Sequence, residues 1–354
     1  MSALSQQNNK RIAKNTLLLY FRMLFSMGIG LFTSRIVLES LGIEDYGIYN
    51  LVGGIVTIFA FLNSAMIATS QRFISYELGK GNLHKLKDVF CTTLTIHIAI
   101  AFIIVVLSEV IGVWFLNTKL NIPSDRMMAA NWTLQLSIFV FAVNVISVPY
   151  NASIVAHEKM SAFAYISIFE VSLKLAIAYL LLFISYDKLI VYSILVFCVA
   201  LLLRSLYCFY CKRHFEECHY TFSFNIEQFR EMFAFAGWSL VGNLGFSFKD
   251  QLSNILLNLF FGTVVNAARG ISVQVGSLIN SFSANFMMAM NPQITKSYAV
   301  GDLYRSKELV YAGCRFSFYL LAVISLPIMI NITYILNLWL VEVPRSEEHT
   351  SELQ

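Results

Sequence analysis

Charge is what this sequence has least of. Only 13% of its 354 residues are Asp, Glu, Lys or Arg, while 57% are hydrophobic. That balance excludes a soluble globule, which carries charge on about a quarter of its residues. Catalytic signatures are missing too. The sequence has no Gly-rich phosphate loop, nucleophile elbow or paired catalytic carboxylates, and no large polar segment to carry them, so we expect no enzyme and no cofactor. The six cysteines say little about redox compartment, and no disulfides are expected. Only "CFYCKRHFEECH" resembles a metal site, through Cys208, Cys211, His214, Cys218 and His219. Its later ligands follow too closely for a zinc knuckle and Cys208 lies in an apolar span, so no metal is expected.

What the sequence does have is long apolar runs. A helix needs about 20 mostly apolar residues to cross a bilayer core. Nine stretches qualify: 16–38, 46–69, 89–116, 127–148, 161–184, 189–210, 232–262, 264–291 and 311–336. The segment before the first is polar and lacks a small-x-small cleavage pattern, which predicts a retained signal anchor. With the N-terminus cytoplasmic, fourteen Lys and Arg fall in loops on that side. Only Lys119, Arg126 and Lys188 fall opposite. This asymmetry predicts the orientation and explains the basic balance without nucleic acid.

Two loops repeat. "GNLHKLKDVF" (81–90) and "GDLYRSKELV" (301–310) match at an offset of 220, which also places Gly42 on Gly262. A six-helix unit repeated in the same orientation predicts two parallel lobes, 1–211 and 232–344, joined by a cytoplasmic linker, 212–231. Such lobes open a shared site to either side by rocking. Only three helices of the second lobe precede the tail "RSEEHTSELQ" (345–354). That string is a codon-for-codon translation of a common sequencing adapter, so the expectation is an artefact on an incomplete second lobe, with about 100 residues missing beyond Pro344.

Basic residues inside the spans are costly, about 2.5–3.5 kcal/mol at the bilayer centre, and such residues face a bundle interior or a watery cavity. Arg204 and Arg315 sit near cytoplasmic ends, where snorkelling to headgroups suffices. Arg22 is deeper, and Asn15, Arg22, Ser26 and Thr33 share one face of the first helix. Similar polar stripes include Asn243 beside Lys249 and Asp250, and Arg269 with Ser277, Asn280 and Ser281. These stripes read either as interhelical glue or as the lining of a hydrated cavity, and glue does not need arginine. With Arg22, Arg35, Lys249 and Arg269 against Asp250, the cavity is net positive and suits phosphate or pyrophosphate. Asp250 is the ion-coupling candidate, for H⁺ or Na⁺, or a simple ion-pair partner. Glu170 and Lys174, four apart, read as a structural pair.

The stretches 33–66 "TSRIVLESLGIEDYGIYNLVGGIVTIFAFLNSAM", 69–82 "TSQRFISYELGKGN", 266–282 "NAARGISVQVGSLINSF" and 291–302 "NPQITKSYAVGD" resemble the bacterial polysaccharide and lipid-linked oligosaccharide flippases. These belong to the multidrug/oligosaccharidyl-lipid/polysaccharide exporter superfamily. The resemblance spans residues 10–344. It implies an all-α, MATE-like fold of two six-helix lobes in the inner membrane, alternating access, and export of a polyprenyl-pyrophosphate-linked oligosaccharide for surface polysaccharide. Membrane lipids and polysaccharide assembly proteins are the implied partners. On this reading Arg22, Lys249 and Arg269 engage pyrophosphate, Arg35 guards the outer exit, and Asn243 and Asn280 contact sugars. The alternatives are a cation-coupled multidrug antiporter of the same fold, which should favour acidic cavity residues, and a membrane polymerase or ligase, which needs a large outer loop.

Overall fold

A computed structural model describes residues 3–57, 59–120, 122–221 and 226–339. The side chains of 261–268 and of several other α8 positions, Asp250 among them, lie outside the description. The expected tail, 345–354, lies outside it as well. The described residues form ten α-helices and no strand: α1 (Ala3–Thr57), α2 (Ala60–Lys80), α3 (Leu83–Leu107), α4 (Val113–Lys119), α5 (Met127–Ala156), α6 (Met160–Leu181), α7 (Lys188–His214), α8 (Ile226–Ala299), α9 (Leu303–Ile330) and α10 (Ile332–Trp339). Among the described residues six helical segments are long and apolar enough to cross a membrane.

The longest helices hold more than one crossing. Gly42 breaks α1 with φ +79° and ψ 170°, a conformation open to glycine because it has no Cβ. The chain therefore reverses where the sequence places its first outer loop. The expected crossing 46–69 falls on the part of α1 after Gly42 and the first half of α2, which continues to Lys80. The third crossing joins α3 to α4 through a π-helical turn at Ser108–Gly112.

The run α8 has 74 residues and would measure about 110 Å if straight. Both of its ends meet α2. Arg72 stacks over the Phe235 ring at 4.1 Å, and one groove is lined by Arg72, Tyr76, Glu231, Thr295 and Tyr298. Residues some 60 positions apart reach one place only if the run doubles back, which accounts for the expected crossings 232–262 and 264–291.

The repeated loops have one physical cause. Gly81 (φ +71°) and Gly301 (φ +81°) end α2 and α8 in left-handed conformations. Asn82 and Asp302 then cap the next helix, accepting from the backbone N–H groups of Lys85 and Arg305. The helices before these turns pack on each other. A Cβ placed on Gly79 would lie 2.8 Å from the Lys296 Cα and 3.0 Å from the Ala299 Cβ. Ala299 is the residue that the 220-residue offset sets on Gly79, so equivalent positions of the repeat meet.

Between crossings the core is apolar. Leu86, Val89, Phe90, Leu94, Tyr150 and Ile154 form a buried cluster of α3 and α5 near one end, and Val52, Leu116, Leu134, Ile138 and Leu189 form another near the opposite end. Arg204 does not extend to headgroups as expected. It donates to the Ile146 carbonyl at 2.8 Å and stacks over Tyr150 at 4.3 Å, because a bundle carbonyl and an aromatic face lie within its reach.

Candidate functional site

The polar face of α1 faces a seam formed with α6, α7 and α8. Arg22 is half-buried there and reaches across to α8, donating through Nη2 to Asn285 Oδ1 at 2.9 Å. Its guanidinium lies 4.9 Å from the Phe163 ring of α6. Glu170 and Tyr207 are its charged and phenolic neighbours. Arg22 forms no ion pair among the described residues, and its Nε is buried with no hydrogen-bond partner. The central cation of the seam thus retains an unused donor, which is costly in a low-dielectric site and suits an incoming acceptor.

About three turns further along α1 the seam widens into a cavity of about 190 Å³, lined by Thr33, Ser34, Tyr46, Asn50, Lys174 and Tyr192 among others. Lys174 donates to Glu170 at 2.6 Å, the pair expected from their spacing. Thr33 and Arg22, placed on one face by sequence spacing, both line the seam. Asn15, the first member of the stripe, serves another purpose and donates to the Glu158 carbonyl at 3.3 Å.

The remaining expected residues differ in exposure. Arg35, Lys249 and Asn280 are exposed, and Asn243 and Arg269 are half-buried. The Asp250 side chain lies outside the described residues. Asn285, missed in the sequence reading, continues the stripe Ser277, Ser281, Asn285 at steps of four. Ser281 donates to the Ser277 carbonyl and Asn285 to the Ser281 carbonyl, both at 2.8 Å.

A second polar constellation closes the basic end of the bundle. Glu158, in the turn between α5 and α6, is 5% exposed and holds φ +59°, rare for a residue with a side chain. Its carboxylate accepts from Lys296 at 2.7 Å and Gln293 at 2.9 Å, both on α8, and pairs with Arg11 of α1 at 3.2 Å. Burial alone would raise its pKa. Lys296, Gln293 and Arg11 outweigh burial and hold the carboxyl below the ordinary range. Burial pushes the Lys296 ammonium down from its usual value, partly offset by Glu158. Next to them His157 meets Glu217 at 2.6 Å and stacks on Phe215 with ring centroids 4.0 Å apart. The cysteines read as a weak metal motif contribute to packing: Cys211 and Cys218 are buried, and Cys211 donates to the Tyr150 carbonyl at 3.4 Å.

This arrangement sets a half-buried cation between α1, α6 and α8 and a buried polar cluster at one end of the bundle. Solved structures share the fold. An outward-facing multidrug resistance MATE family transporter of the MOP superfamily superposes with a TM-score of 0.80 at 12% identity, covering 95% of this chain and 75% of its own. A MOP superfamily transporter from Pyrococcus furiosus, described as having a binding pocket of reverse polarity, gives a TM-score of 0.78 at 12% identity, covering 94% of this chain and 74% of its own. The uncharacterized membrane protein EpsK of Bacillus subtilis (strain 168) is 19% identical over 285 residues, 79% of this chain. The chain spans 55% of the length of that relative. The family described as polysaccharide biosynthesis protein matches residues 12–298. This all-α, multi-pass membrane chain, built on the MATE transporter fold, therefore belongs to the polysaccharide biosynthesis protein family.

Proposed function

We propose that the chain is an alternating-access flippase of the bacterial inner membrane, with its N-terminus in the cytoplasm. Its cargo is a polyprenyl-pyrophosphate-linked oligosaccharide, moved to the outer leaflet for surface polysaccharide assembly. Arg22 carries the reading: a half-buried guanidinium without an ion pair among the described residues, with Nε left unpartnered, stands in the seam between α1, α6 and α8. Pyrophosphate offers the acceptor oxygens and the negative charge that this cation lacks, while a polyprenyl chain remains in lipid. Arg35, Lys249 and Arg269 extend the positive field along the path, Asn243 and Asn280 serve as sugar contacts, and Asp250 is the H⁺- or Na⁺-coupling carboxylate.

The lobes 1–211 and 232–344 move against each other about the α2–α8 contact. The Glu158 cluster and the Gly79–Lys296 approach hold the basic end shut. With basic loops in the cytoplasm, the arrangement is outward-facing. A multidrug antiporter is the rival on the same fold, and the sign of the seam disfavours it. The reverse pocket polarity described for the Pyrococcus relative indicates that this fold tolerates such a change.

The test is Arg22→Ala in the encoding gene, introduced into a strain lacking it. Surface polysaccharide should fall at least about tenfold, with lipid-linked units accumulating on the cytoplasmic leaflet, and Arg22→Lys should recover part of the loss. Normal surface polysaccharide in the alanine variant would reject the assignment.

A further inference from the structure

One helical turn before the close approach of Gly79 and Ala299, the same two segments border a cavity of about 220 Å³. Gln71, Arg72 and Ser75 of α2 line it from one side, and Asn291, Pro292 and Thr295 of α8 from the other. The 220-residue offset sets Asn291 on Gln71, Pro292 on Arg72 and Thr295 on Ser75. The cavity therefore lies between equivalent faces of the repeat, and each face brings a carboxamide and, four residues on, a hydroxyl. None of these four polar side chains makes a hydrogen bond among the described residues. Just before them on α2, buried hydroxyls turn back on their own helix: Thr69 donates to the Ala65 carbonyl at 2.8 Å and Ser70 to the Met66 carbonyl at 2.7 Å. Ser75 is 2% exposed and makes no such bond. A hydroxyl this buried calls for a partner, and the cavity that it lines is where one can stand.

Carboxamides and hydroxyls both donate and accept. A sugar ring presents the same dual character around its rim, in hydroxyls that each donate and accept. A phosphate would use only the donors of this lining, and Arg72 at its edge repels a bare cation. The cavity is smaller than the about 300 Å³ at which pockets for drug-sized molecules begin, so it takes one ring rather than a whole oligosaccharide. We propose that it is a sugar subsite, in which one ring of the transported glycan bonds to Gln71, Ser75, Asn291 and Thr295. The inference rests on the flippase reading and extends it: Arg22 holds the anionic head, and this cavity holds part of the glycan. Substrate sites of repeat-built transporters lie where the repeats meet, as this one does. A ring bound here bridges α2 and α8 and loses half of its contacts when the two helices separate.

The test titrates the purified full chain with two lipids and reads retention by native mass spectrometry. One is the lipid-linked oligosaccharide extracted from the strain lacking the gene, and the other is bare polyprenyl pyrophosphate. The double variant Gln71→Met, Asn291→Leu should weaken retention of the glycan-bearing lipid about tenfold and leave that of the bare lipid unchanged. Ser75→Ala should act in the same direction, by about threefold. Both variants remove groups that make no hydrogen bond within the described residues, so the fold should survive them. Arg22→Ala, by contrast, should weaken both lipids. Undiminished retention of the glycan-bearing lipid in the double variant would overturn the subsite and leave the flippase reading standing. Equal loss of both lipids would overturn it as well, since a sugar contact cannot act on a lipid without sugar. Retention of neither lipid by the unaltered chain would sink the flippase reading and the subsite with it.

Discussion

The Glu158 carboxylate accepts a hydrogen bond from the Lys296 ammonium at 2.7 Å, joining the turn after α5 to the end of α8. Arg11 and Gln293 complete the shell around the same carboxylate, so three sequence-distant segments converge on one buried charge. Removing that charge leaves Lys296, itself three-quarters buried, without its counter-ion. Breaking such a pair on one side costs about 3–5 kcal/mol in a buried site, and somewhat less here because Arg11 is half exposed. Glu158→Gln should therefore open the basic end more often. A cysteine placed at Thr295, which lines the α2–α8 groove, should react with a water-soluble maleimide several-fold faster in the Glu158→Gln background. Equal labelling rates would show that the cluster does not hold the end shut.

The same carboxylate sets a pH dependence. Glu158 and Asp187 both have pKa values lowered in the folded chain, so the stabilisation they contribute is fully present above their ordinary values of 4.5 and 3.8. It is lost as pH falls through their lowered folded values. The thermal midpoint in detergent should accordingly drop below about pH 4.5. The drop should be shallower in Glu158→Gln. Parallel curves for the two proteins would remove Glu158 from the acid transition.

Gly79 tests the closed contact without touching a charge. Alanine favours helix over glycine by about 1 kcal/mol, so an unconstrained site would be stabilised by Gly79→Ala. Here the added Cβ would sit 2.8 Å from the Lys296 Cα, and the clashing atom is backbone rather than a movable side-chain tip. Overpacking of this kind costs about 1–3 kcal/mol, so the contact should win. Gly79→Ala should lower the thermal midpoint and raise labelling at Thr295→Cys. A higher midpoint would mean that α2 and α8 are not in close contact.

Much of this layout is legible from residue spacing. The 220-residue repeat is visible as "GN" and "GD" because helix ends need glycine at a positive φ and an Asn or Asp cap, and few other residues meet those requirements. The α1 stripe shows because helical periodicity sets Arg22 and Thr33 on one face. Asn285 is legible in principle, one step of four beyond Ser281. The Glu158 cluster is not. Its members lie on α1, in a short turn and at the end of α8, with no common period, and only tertiary folding brings them together. Arg204 misled for a related reason: depth in a span is readable, but not the Ile146 carbonyl waiting beside it.

Arg126 governs the end opposite Glu158. Its guanidinium forks between Asp45, just after the Gly42 reversal, and Asp187, which also caps α7 through the Leu189 and Ile190 N–H groups. Burial raises the Asp187 pKa, but Arg126 and those N–H groups outweigh it and keep the carboxylate ionised. All three side chains are a third exposed or less, so solvent screening is partial and the fork should contribute about 1–2 kcal/mol. Arg126→Gln should lower the unfolding free energy by that amount and the thermal midpoint with it, and half or more of the loss should persist in Arg126→Lys. Lysine keeps the charge but cannot serve two carboxylates with parallel donors. If lysine restores the midpoint fully, simple charge balance rather than the fork holds these three loops together.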